Sequence, residues 1–86
     1  MENKEVWIVY VLYQYDGYED TEVYETREKA CDAADQLIFE FKQEGYVIAD
    51  GFVDKAFSKE MIGDCDYIRL DKDGEVEITV EKKIVR

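Results

Sequence analysis

The residues of this chain best equipped for chemistry are carboxylates and tyrosines, and they concentrate in YQYDGYEDTEVYE, Tyr13 to Glu25. The stretch holds four tyrosines and five acids and no basic residue. Tyrosine presents a large, rigid apolar body with a polar tip, and a carboxylate beside it can grip a partner's arginine through two parallel hydrogen bonds. That is the chemistry of recognition rather than of turnover. Tyr13, Tyr15, Asp16, Tyr18, Glu19, Asp20, Glu22 and Tyr24 are therefore the candidate partner-binding residues.

Catalytic groups are scarce. The chain has no histidine to act as a base near neutral pH, and Ser58 is its one serine. Cys31 falls on an apolar helical face, where a thiol is usually inert packing. Cys65 lies between Asp64 and Asp66, whose charges are expected to raise its pKa and blunt its reactivity. A carboxylate pair could serve a glycosidase-type reaction. However, 86 residues leave little room for a cleft of about 300 Å³ or more. No glycine-rich phosphate loop is present, so no catalytic residue is assigned and no enzyme activity is expected. Two thiols and no histidine fall short of a zinc ligand set. Asp71-Lys72-Asp73-Gly74-Glu75 superficially suggests a calcium loop, but the sixth and twelfth positions, glycine and glutamate in such loops, are Val76 and Lys82. A hairpin turn explains the residues better. Asp64 and Asp66 could join Asp71 and Asp73 only in a weak, adventitious cation site, so no metal and no cofactor are expected.

The surrounding composition is that of one folded domain spanning residues 1–86. Apolar residues make up 47% of the chain, enough for a core, so the acidity does not signal disorder. The net charge of −11 is lopsided, because the first 26 residues carry one base against seven acids. Such a field repels nucleic acid and anionic membranes and attracts basic protein surfaces. The longest apolar run, Val6 to Tyr13, is eight residues, far below the ~20 of a membrane helix. The opening MENKE lacks the apolar segment of an export signal, so the expected location is cytoplasmic, with both thiols free.

The elements that must position these residues follow from periodicity. EVWIVYVLYQY (5–15) reads as a long strand and DTEVYET (20–26) as its return across Asp16-Gly17. A two-residue loop (Asp16-Gly17) or a four-residue loop (Asp16 to Glu19) gives the same parity. Val6, Ile8, Tyr10, Leu12, Thr21 and Val23 share one face. Trp7, Val9, Val11, Tyr13, Tyr15, Asp20, Glu22 and Tyr24 share the other, with Asp16, Tyr18 and Glu19 at the tip. Thr26 is the expected N-cap of a helix running to about Glu44, with Gly45 closing it. Ala30, Cys31, Ala33, Ala34, Leu37, Ile38 and Phe41 form its apolar stripe. Phe39 points away among Asp32, Asp35 and Gln43, either half-covered by a loop or touching a partner. YVIA suggests a short strand, and Val53, Ala56, Phe57 and Met61 one or two helical turns. CDYIRL and EVEITVEKKIV form a hairpin over Lys72-Asp73-Gly74, with Gly74 expected in the left-handed region. Its register sets Leu70 opposite Val76, Ile68 opposite Ile78 and Arg69 opposite Glu77. The fold class is α+β: an antiparallel sheet of two hairpins (three to five strands) with one main helix on one face, in the order ββα(β or short α)ββ. A single helix covers one sheet face only, so one apolar face of the first strand stays open unless a partner, a second copy or residues 46–62 cover it.

In size, acidity and want of catalytic groups the chain resembles the small proteins that phages use against host nucleases, anti-CRISPR proteins included. It is a resemblance of type, carried by charge and length rather than by a motif. It implies an inhibitor that occupies the basic nucleic-acid groove of a nuclease or other nucleic-acid-binding protein, with carboxylates in place of phosphates and tyrosines in place of bases. The alternative is an acidic interaction module, or a homodimer, with a housekeeping or mobile-element role.

Overall fold

A computed structural model describes residues 4–13, 17–50, 57–60 and 63–85. The elements are β1 (Lys4–Tyr13), β2 (Tyr18–Tyr24), α1 (Arg27–Gln43), β3 (Val47–Asp50), α2 (Phe57–Glu60), β4 (Cys65–Asp71) and β5 (Glu75–Val85). All five strands pair antiparallel in one sheet of order β2-β1-β5-β4-β3. The α+β class and the expected order are thus observed. The two hairpins are joined through their long strands, β1 and β5, which pair from Lys4↔Val85 to Tyr13↔Val76.

The helix covers the odd-numbered face of β1. Trp7, Val9 and Val11 are buried there beside Val76, Ile78 and Val80 of β5 and Ile68 and Leu70 of β4. The register explains why: Val9 pairs with Val80, Val11 with Ile78, and Ile78 in turn with Ile68, so one apolar row crosses three strands. Each such fully buried side chain contributes about 1.5–3 kcal/mol relative to exposure. From α1, Ala30, Cys31, Ala34, Ile38 and Phe41 complete the core. Ala33 and Leu37, expected in the same stripe, are only half-buried because they lie on the flank that faces the open groove beside β2. Phe39 is 55% exposed on the outer side of the helix.

Both ends of α1 are closed as its residues dictate. The Thr26 hydroxyl accepts from the Lys29 amide at 3.1 Å, satisfying one orphan donor of the first turn. At the other end Gly45 has φ +102°, its amide donates to the Lys42 carbonyl, and the Tyr46 amide donates to that of Phe41. These are the two bonds of a Schellman motif, and the Phe41 and Tyr46 rings seal it edge to face at 5.0 Å. Lys72, from the turn between β4 and β5, donates to the Glu44 carbonyl at 2.6 Å. The second hairpin is thereby tied to the end of the helix.

Two turn expectations need correction. The first hairpin pairs Trp7 with Tyr24 through Tyr13 with Tyr18, so residues 14–17 form the connection and neither expected loop occurs. The parity is the same, but Tyr18 and Glu19 belong to the strand rather than the tip, because the register is shifted and the connection falls earlier in the chain than Asp16-Gly17 suggests. Gly17 supplies the positive φ, +67°. In the second hairpin the register is as expected, Leu70↔Val76, Ile68↔Ile78 and Arg69↔Glu77. Gly74, however, is not in the left-handed region; the turn closes instead with the Lys72 amide donating to the Gly74 carbonyl at 3.3 Å.

In the least legible segment, YVIA is β3 from Val47 onward and Phe57 opens α2. Val53, Ala56 and Met61 lie outside the described residues. Asp35 of α1, which reads as a solvent-facing acid, accepts from the Phe57 amide at 2.5 Å and from the Ser58 hydroxyl at 2.6 Å. This holds α2 against α1, with Phe57 fully buried. No helix among the described residues is long and apolar enough to cross a membrane.

Candidate functional site

The candidate residues divide between two surfaces. Tyr13, Asp20, Glu22 and Tyr24 lie on the helix side, where they line a groove of about 280 Å³ between α1 and β2. Its floor is Val9 and Val11, and its helical wall is Ala33, Gln36 and Leu37. The groove exists because α1 lies mainly over β1 and β5, leaving β2 beyond the helix edge, and because Ala33 is too short to fill the gap. Glu19 pairs with Leu12, which places it on the opposite, open face. Tyr15 and Asp16 lie outside the described residues; Tyr18 is described only by its backbone pairing with Tyr13.

The tyrosines and acids of the groove do different work. Tyr13 packs edge-on against Phe41 at 6.1 Å between ring centroids. Tyr24 stands across from Trp7, and burial together with the nearby Glu22 charge raises its pKa. Asp20 and Glu22 are exposed at the rim. Among the described residues, no basic side chain pairs with either of them. Lys29 pairs with Glu25, Lys82 with Glu5 and Asp64, and Arg69 with Glu77, while Arg27 sits over the Trp7 ring at 6.0 Å. The groove therefore has an apolar floor under two carboxylates that face solvent.

On the other face, Val6, Ile8, Tyr10 and Leu12 run in a half-buried column along β1. Val23 beside them is 59% exposed and Tyr67 across the sheet 40%. Burial is the main reason the Tyr10 phenol is raised, followed by the charge and hydrogen bond of Glu81. This face is apolar in its centre and charged around it, with Glu19, Glu77 and Glu81 alongside Arg69 and Lys83.

Neither thiol is activated. Burial raises Cys31. For Cys65 burial again comes first, followed by Glu81 and Asp66. Asp64, expected to act on Cys65, is instead turned to Lys82 at 3.2 Å. Among the described residues, no three acidic or sulfur side chains converge as a metal site.

The helical wall of the groove escaped sequence reasoning. Ala33 and Leu37 read as ordinary core positions, and Gln36 carries no signal of its own. The signal that could have found them is the strict alternation of Val76, Ile78 and Val80, which fixes β5's inner face and, through β1–β5 pairing, the helix-facing side of β1. Comparison of the chain with family models, curated proteins and solved structures gives no match.

Proposed function

We propose that this chain is a small acidic binding protein without catalytic activity, an inhibitor that presents carboxylates to a basic groove of a nucleic-acid-binding target. The observation that carries this reading is the edge strand β2. It bears Glu19 on one side and Asp20 and Glu22 on the other, the latter two unpaired by any described base and set beside tyrosines. Carboxylates on a strand edge can take the place of phosphates, and the neighbouring aromatic rings that of bases. The net charge of −11 steers the whole molecule to a basic surface and away from nucleic acid itself. A nuclease in a cytoplasmic setting is the target class that fits, and a phage or other mobile element is the source that fits.

The experiment is capture of partners on immobilised protein, followed by elution with DNA or RNA. Elution of a nucleic-acid-binding protein is expected, and also at about 1 M salt, where the screening length is only about 3 Å. The triple variant Glu19→Lys, Asp20→Lys, Glu22→Lys should lose that partner while keeping its circular dichroism. Undiminished binding by this variant would sink the proposal.

The open column of Ile8, Tyr10, Leu12 and Val23 favours a second reading, in which the protein is an interaction module that dimerises through the uncovered sheet face. Self-association that persists at high salt would support it.

A further inference from the structure

The first surface can be given a more specific partner, in an inference that rests on the binding-protein reading above. β2 is an edge strand, hydrogen-bonded to β1 alone in the sheet, so its other side offers a row of backbone donors and acceptors. Asp20 and Glu22 are two residues apart on that strand and so on one face, about 6.7 Å from each other along it. Side chains of a neighbouring strand repeat at the same interval. We propose that β2 and the α1–β2 groove together dock an extended basic segment of a partner protein, which adds as a sixth strand and sets alternate arginine or lysine side chains beside Asp20 and Glu22. Between these basic residues, the partner's intervening side chains fall on the face of Thr21 and Val23, where apolar or β-branched residues fit. The pattern recognised is basic–apolar–basic in an extended chain.

Three observations select this occupant. Edge charges that serve only to keep a strand soluble need no hollow beside them. Here a space of about 280 Å³ with Val9, Val11 and Leu37 in its lining adjoins the two carboxylates. An arginine or lysine matches that combination, with an aliphatic stem for the apolar lining and a cationic head for the rim. A second copy of β2 does not fit, since Asp20 and Glu22 would meet acids across the new ladder. The other sheet edge, β3, is four residues long with an irregular register between Ile48 and Asp50, and makes a poorer template.

The test uses the full chain and two capped octapeptides of identical composition, one alternating arginine and valine, the other with four arginines followed by four valines. The alternating peptide should bind about tenfold more tightly than the block isomer, because only it can place charge-assisted contacts on both acids while pairing. It should also slow hydrogen exchange at β2 amides. Asp20→Asn with Glu22→Gln, both exposed positions, should remove the preference, and Ala33→Leu, which fills the groove without changing charge, should weaken the alternating peptide. Equal binding of the two peptides, or unchanged β2 exchange, would overturn the docking mode. Should the alternating peptide dock as described while the captured partner proves to have no link to nucleic acid, the docking site stands and the inhibitor reading fails. Loss of a nucleic-acid-binding partner by the triple lysine variant, with no preference between the peptides, is the converse: the inhibitor reading stands and the docking site fails.

Discussion

The two hairpins of this sheet are built on opposite patterns. In β4–β5 one side is apolar and buried, with Ile68, Leu70, Val76, Ile78 and Val80, and the other carries Arg69 and Glu77 as a cross-strand pair. In β1–β2 the inner strand is apolar on both sides, and the outer strand carries Asp20 and Glu22 on one side and Glu19 beside Thr21 and Val23 on the other. A strict alternation leaves one way to face the core, because a one-residue slip would turn every apolar side chain outward. A strand apolar on both faces leaves the choice to its neighbour, and for β1 that neighbour is β5. The second hairpin is thus scaffold, while the first ends with a groove on one face and an open apolar column on the other.

The contrast is broken most directly by trimming each hairpin. Ile78→Ala should cost about 2–5 kcal/mol in urea unfolding, because Ile78 is fully enclosed. Ile8→Ala, on the open face of β1, should cost about 1 kcal/mol or less. Equal losses would mean that the open face is covered in solution. A middle-sized effect separates the two glycines with positive φ. Gly45→Ala and Gly17→Ala each force alanine into an unfavourable backbone region, at about 1–2 kcal/mol. Gly45→Ala should be the worse of the two, since its φ of +102° lies outside the small left-handed basin that alanine can enter whereas Gly17 at +67° lies within it. Thermal melts of the pair measure the difference. The smallest effect is alkaline. The Tyr10 phenol is raised above its ordinary value by burial and by Glu81, so folding favours its neutral form. The stabilisation is present below the ordinary phenol range and is lost as pH rises through the folded pKa. Tyr10→Phe should flatten the fall in melting temperature on the alkaline side, and an unchanged slope would remove Tyr10 as its source.

Much of the scaffold was legible from local signals. Thr26, Gly45 and the run between them mark α1 to within a residue, and alternation in EVEITV sets the β4–β5 register. Legibility failed where a contact between distant segments decides the outcome. β2 begins as early as Tyr18 because the β1–β2 register pairs it with Tyr13, and Asp35 caps α2 from 22 residues away. The groove is the sharpest instance. Asp20, Glu22, Tyr13 and Tyr24 share a face by parity alone, yet that face adjoins a cavity only because α1 stops short of β2. Nothing in the spacing of Ala33 and Leu37 distinguishes a residue at the edge of a helix's footprint from one at its centre.

The strand at the centre of the sheet, β5, follows every other strand in the chain. During synthesis the β1 and β2 segments leave the ribosome with apolar side chains on both faces of β1, and wait for some fifty residues' worth of chain, roughly, before their main partner appears. Until then the acids of β2 stand at one rim of a sticky sheet whose other rim is bare. Folding speed should accordingly be governed by the β1–β5 closure, the pairing of longest sequence separation in the molecule. The same negative charge proposed to find a partner would then serve earlier, keeping nascent copies apart while the middle of the sheet is missing.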